Sequence, residues 1–86
     1  MKIAFTPPFR KDYQGLSTGI QEQIDAQITR LLENPRHPSL RTKKIQGQDN
    51  IFEASVTMDI RITWQNTEDG IFLRNIGEHD KTLKTP

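Results

Sequence analysis

The 86-residue chain contains no cysteine, which excludes a disulfide framework and a thiolate zinc site. Small secreted domains usually depend on such cross-links, so a cytoplasmic address is expected. No segment approaches the roughly 20 consecutive apolar residues of a membrane-spanning helix. The apolar run in the N-terminal MKIAFTPPF is too short for a signal peptide. Apolar residues are scarce at 33% of the chain, and a domain of this size buries only about 60–65% of its unfolded surface. A single domain over residues 1–86 with a thin core is expected, leaving some apolar surface for a partner to cover. The chain has two histidines, without helical H-x-x-x-H spacing, so neither a metal nor another cofactor is expected. There are no internal repeats and no low-complexity tract.

Charge of one sign is also lacking overall, since the net charge is +1. Its distribution is uneven. Residues 35–47 carry Arg36, Arg41, Lys43 and Lys44 with no acid, whereas residues 48–86 carry four basic and seven acidic side chains. A local basic segment suits phosphate binding. Lysines on an exposed edge strand also serve to prevent edge-to-edge aggregation, and charge alone favours that plainer reading.

What is present is clear periodicity. Lys2 to Thr6 forms a short strand candidate that Pro7-Pro8 stops, and Phe9 to Leu16 can make two helical turns. Ile20, Ile24, Ile28, Leu31 and Leu32 then follow at three- and four-residue steps, the apolar stripe of a helix that packs on a core. Thr18 and Gln21 have capping-box spacing at its start, and Asn34-Pro35 ends it. Leu40 to Gln46 is a strand candidate, Gly47 to Asn50 a turn, Asn66 to Gly70 a hairpin loop and Ile71 to Ile76 a central strand, with the tail leaving the sheet at Gly77. The order implies an α+β domain: an N-terminal strand, two helices, then an antiparallel meander of three to four strands.

The stretch FEASVTMDIRITW, residues 52–64, alternates apolar and polar side chains without a slip. Thirteen residues are long for one strand in so small a domain, so a hairpin is expected, although a single strand bent at Met58 would keep the same faces. Directly opposed residues share a face. A three-residue loop at Thr57-Met58-Asp59 therefore pairs Ala54 with Ile62, Phe52 with Trp64, Glu53 with Thr63 and Ser55 with Arg61. Arg61 then points away from the core, diagonal to Glu53, and Trp64 points into it.

The N-terminal KIAFTPPFRKDYQGL, the helix end LLENPRHPSLRTKKIQG, the pair FEASVTMDIRITW and the closing LRNIGEHDKTL together resemble the RelE/ParE family of bacterial toxins. The resemblance spans nearly the whole chain. Its most specific part is NP…HPSLR.KK..G, then D-x-R on a strand, then G-x-H-D past the last strand. It implies the α+β fold above and a basic site on the sheet. In the RelE-like branch that site cleaves mRNA, usually on the ribosome, and a small antitoxin blocks it. The ParE-like branch keeps the fold but inhibits DNA gyrase and is not a nuclease.

Metal-free RNA cleavage needs a base for the ribose 2′-OH, an acid for the leaving 5′-oxygen and cations for the phosphorane-like charge. Arg61 suits the last role, because a planar guanidinium holds two phosphate oxygens at once. It also stands where RelE-like toxins have a functional arginine. His79 suits acid–base work near neutral pH and stands where the family places a catalytic histidine or arginine. Asp80 is placed to orient His79, and Glu53 or Asp59 to act as an alternative base or to anchor Arg61. Lys43 and Lys44 match the basic strand that holds RNA in the family, with Arg41 and Arg74 as further RNA contacts. Leu83 stands where many of these toxins carry a tyrosine. Without the resemblance, Arg61 reads as a cross-strand partner of Glu53, His79-Asp80 as a turn cap and His37 as a loop residue.

Overall fold

The computed structural model describes residues 2–45, 47 and 50–78. Strand β1 (Lys2–Phe5) is followed by helices α1 (Pro7–Gln14) and α2 (Thr18–Glu33), a 3-10 turn (Pro38–Leu40) and strands β2 (Lys43–Lys44), β3 (Ile51–Ser55), β4 (Ile60–Asn66) and β5 (Gly70–Glu78). The strands form one sheet in the order β1-β5-β4-β3-β2. The last four make the expected antiparallel meander, while β1 joins its far edge parallel to β5, so the sheet is mixed.

Both helix starts differ from the sequence reading. Pro7 and Pro8 do not merely stop β1; they begin α1, where a missing amide hydrogen costs nothing. Thr6 is the cap, its Oγ1 accepting from the Phe9 amide at 3.1 Å. For α2 the cap is Ser17, whose Oγ accepts from the Ile20 amide at 3.3 Å. Gln21 does not close a capping box; its Nε2 donates to the Tyr13 carbonyl at 2.8 Å and ties the two helices together. Asn34 ends α2 as expected.

One side of the sheet carries the core. Phe9, Ile24 and Leu31 from the helices pack with Ala54, Ile62, Trp64, Ile71, Leu73 and Ile76 from the strands. The β3–β4 register matches the parity argument: Phe52 faces Trp64, Glu53 faces Thr63, Ala54 faces Ile62 and Ser55 faces Arg61. Phe52 and Trp64 stack with ring centroids 4.7 Å apart, and Trp64 is a buried core residue.

The pairing of β4 with β5 slips once. Thr63 faces Asn75 and Trp64 faces Leu73, which leaves Arg74 as an extra residue in β5. Leu73 and Ile76, three residues apart, therefore both reach the core. Thr6 binds this irregularity, its amide donating to the Leu73 carbonyl at 3.0 Å and its hydroxyl to the Arg74 carbonyl.

The strand expected over Leu40–Gln46 shrinks to Lys43–Lys44, because Pro38–Leu40 winds into the 3-10 turn and Arg41 takes a left-handed conformation at φ 47°. Gln46, Gln48 and Asp49 lie outside the described residues. Strand β5 does not leave the sheet at Gly77, since Glu78 still pairs with Ile60.

Two polar contacts fasten α2. Gln27, 5% exposed, donates from Nε2 to the carbonyls of Ser55 at 2.6 Å and Ser39 at 3.2 Å, and accepts from Arg30 Nη1 at 2.8 Å. Replacing Gln27 with leucine strips both carbonyls of a buried donor and should lower the unfolding free energy by about 1–3 kcal/mol, read from urea denaturation. On the other side of α2, the Tyr13 hydroxyl donates to Asp25 Oδ1 at 2.8 Å. That hydrogen bond first, then burial and the Asp25 charge, raises the Tyr13 pKa above its ordinary value. Stability from this bond is fully present below the unfolded tyrosine pKa of about 10 and is lost as pH rises through the higher folded value. Thermal unfolding followed upward from about pH 9 should show a smaller alkaline loss in Tyr13→Phe than in the parent chain.

Candidate functional site

On the helix-free side of the sheet the side chains fall into rows, polar toward the end where β5 finishes and bordered by the apolar Ile51 and Phe72 on either side of Gln65. Lys43 on β2, Glu53 on β3, Thr63 on β4 and Asn75 on β5 are successive register partners across four strands. The next row along is Ser55, Arg61 and Gly77. The parity of residues 52–64 builds the middle of both rows, and the extra residue in β5 brings Asn75 into line.

Burial within the first row is unusual for its chemistry. Glu53 is 4% exposed and Thr63 is fully buried, although charged residues are almost never buried without partners. Arg61 supplies one partner, its Nε lying 4.0 Å from Glu53 Oε1.

The rest of the Arg61 guanidinium is held by the β3–β4 loop. Nη1 donates to the carbonyls of Thr57 at 2.5 Å, Met58 at 2.9 Å and Ile60 at 3.2 Å. Thr57 Oγ1 shapes the loop by accepting from the amides of Asp59 at 3.2 Å and Ile60 at 3.0 Å. Asp59 itself is exposed, and among the described residues the ion pair of Arg61 is with Glu53 rather than Asp59. Across the sheet Gly77 faces Arg61 and places no side chain beside it. Strand β5 thus ends beside Arg61, with Glu78 facing Ile60. His79 and Asp80 come next in sequence and lie outside the described residues.

The other expected RNA contacts are dispersed. Lys43 shares the Glu53 row, but Lys44 pairs with Phe52 and so falls on the opposite face. Arg41 is exposed at the end of the 3-10 turn. Arg74 is half-buried and donates from Nη1 to Gln65 Oε1 at 3.0 Å. Gln65 is four residues beyond Arg61 on β4, about 13 Å along the strand. The structure therefore groups Arg61, Glu53 and Lys43, with Arg74 further along and Lys44 turned away. Thr63 and Asn75 complete the row and were not singled out from sequence. Thr63 was accessible through its pairing with Glu53; Asn75 was not, because nothing in the pattern marks the extra residue.

Among the described residues no group of three or more His, Cys, Asp or Glu could hold a metal ion, and no helix is long and apolar enough to cross a membrane.

Solved structures share this fold. The YoeB/ParE toxin from Agrobacterium tumefaciens superposes with a TM-score of 0.81 at 18% identity, covering 92% of this chain and 99% of that one. The chain has the RelE/ParE toxin fold. RelE in the intact E. coli RelBE toxin–antitoxin complex superposes with a TM-score of 0.71 at 19% identity, covering 88% and 93% of the two chains. The E. coli DinJ–YafQ toxin–antitoxin complex gives 0.77 at 16% identity, with 93% of each chain covered. No protein-family model and no curated sequence matches the chain.

The site makes one structural demand that is separate from any chemistry. Arg61 serves the three carbonyls with Nη1 and faces Glu53 with Nε, two separate nitrogens that the single ammonium of lysine cannot replace. Arg61→Lys should therefore destabilise the domain by about 1–2 kcal/mol in urea denaturation despite keeping its charge.

Proposed function

We propose that the chain is the toxin of a type II toxin–antitoxin system, a metal-independent endoribonuclease that cleaves mRNA at the ribosome in the cytoplasm and is neutralised by a small cognate antitoxin. The observation that carries this reading is the position of Arg61. It is an arginine on the helix-free face of a RelE/ParE-like sheet, at the end where β5 finishes and beside the row that starts at Lys43. The similar folds include toxins captured in complexes with antitoxins. Fold alone does not carry an activity, so the reading rests on the residue chemistry.

In this reading the ribose 2′-OH attacks the adjacent phosphorus and the 5′-oxygen leaves, giving a 2′,3′-cyclic phosphate. Arg61 stabilises the charge that builds on the phosphoryl oxygens. His79 acts as the general acid or base, oriented by Asp80, because imidazole exchanges protons near neutral pH. Lys43, with Arg41, Arg74 and Lys44 more peripherally, holds the RNA backbone.

A second reading is a ParE-like protein that binds a protein target such as DNA gyrase and cleaves nothing. The occupation of Arg61 Nη1 by three backbone carbonyls favours it, since that nitrogen then holds the loop in place.

Inducing the chain in bacteria should arrest growth with cleaved mRNA, and Arg61→Ala and His79→Ala should each relieve the arrest. Soluble yield of each variant must be matched, given the structural role of Arg61. Arrest with intact mRNA and a DNA-damage response would instead establish the second reading, and growth unaffected by either substitution would remove both residues from the site.

A further inference from the structure

The guanidinium of Arg61 has three donor nitrogens, and their surroundings differ. Nη1 faces the carbonyls of Thr57, Met58 and Ile60, and Nε faces Glu53 Oε1 at 4.0 Å. Nη2 has no hydrogen-bond partner among the described residues, and the side chain keeps 17% of its surface exposed. A phosphate that engages arginine through two parallel bonds needs two adjacent nitrogens. With Nη1 turned into the loop, the remaining pair is Nε and Nη2. That edge is the one beside Glu53.

Glu53 is also poorly placed to move away. It is 4% exposed, lies between Lys43 and Thr63 in the register and sits in the middle of β3. A bound phosphate would therefore share the Nε edge with a buried carboxylate. Two like charges a few ångströms apart in a partly desolvated site repel strongly.

We propose that Glu53 is a resident counter-ion that occupies the anion-binding edge of Arg61, positions the guanidinium and sets a threshold that only a strongly held phosphodiester overcomes. The proposal rests on the reading of Arg61 as the phosphate-binding residue. Glu53 is on this account a positioning residue that weakens ground-state binding, rather than the base that activates the 2′-OH. It makes the site selective: a single phosphate held by Arg61 alone meets the repulsion in full, whereas an RNA that also engages Lys43 gains contacts that offset it.

The probe is a short 2′-O-methyl RNA, which cannot be cleaved, followed by fluorescence anisotropy, with inorganic phosphate titrated in parallel. Glu53→Gln should bind the RNA about tenfold or more tightly than the parent chain. The gain should disappear in the Glu53→Gln/Arg61→Ala double variant. Equal or weaker binding by a folded Glu53→Gln would overturn the proposal. Glu53→Met, a neutral side chain of similar length, provides a second test if glutamine at this buried position compromises folding. The Arg61 Nε–H resonance of the 15N-labelled parent chain, assigned by its loss in Arg61→Lys, gives a measurement without any change at Glu53. It should shift on RNA addition and stay unmoved by millimolar inorganic phosphate, and an equal response to both would count against the threshold. Cleavage of an unmodified RNA is scored separately. Tighter binding by Glu53→Gln, with no cleavage of free or ribosome-bound mRNA by the parent chain, supports the counter-ion and sinks the nuclease reading; cleavage by the parent chain with unchanged binding by Glu53→Gln does the reverse.

Discussion

The fold turns on one side chain, Thr6. Its Oγ1 accepts from the first turn of α1 while its hydroxyl hydrogen is donated to the Arg74 carbonyl. That carbonyl belongs to the extra residue of β5, where the ladder to β4 is interrupted. A partly buried carbonyl at such an interruption is served by another donor, and Thr6 supplies it from the junction of β1 and α1. The same threonine therefore ends a strand, begins a helix and heals the irregularity in the centre of the sheet. Without the extra residue, strict alternation would send either Leu73 or Ile76 out of the core. Because of it, both stay in, and Arg74 and Asn75 lie together between them.

The polar face follows from the same geometry. A sheet side without helices would ordinarily be wet, yet Glu53 and Thr63 are buried there. They lie on inner strands with register neighbours on both sides, and the carboxylate has the Arg61 guanidinium within reach. Electrostatically the face is not a uniform basic surface. It is a buried acid set among bases, with the basic groups at different heights along the strands. An overall charge of +1 conceals this, since the arrangement depends on which residues become neighbours.

Much of this was legible in the residues. The alternation over Phe52–Trp64 determined a register and sent Arg61 and Glu53 to one face because a β-strand has a period of two, which leaves no freedom once the loop length is chosen. The stripe from Ile20 to Leu32 declared its helix in the same way. Three features were not legible. Pro7-Pro8 reads equally as a stop and as a start, and only the Thr6 side chain decides between them. The extra residue at Arg74 hides inside an apolar run that has no alternation to break. The partners of Arg61 Nη1 are backbone carbonyls, which every residue carries, so no side-chain pattern announces them. The opposite orientations of Lys43 and Lys44 could have been anticipated, since adjacent strand residues always diverge.

The placement of β1 has a consequence for how the molecule comes into being. Lys2 to Phe5 pair with Gly70 to Leu73, so β1 has no edge to join until β5, 68 residues further along, has been made. Contacts that span such a sequence distance form late and slowly. The helices can coil and the β3–β4 hairpin can close earlier, but β5, the Thr6 link and the level at which β5 meets Arg61 arrive together after them. Until β5 has been made, a nascent chain thus lacks the strand that completes the rows beside Arg61.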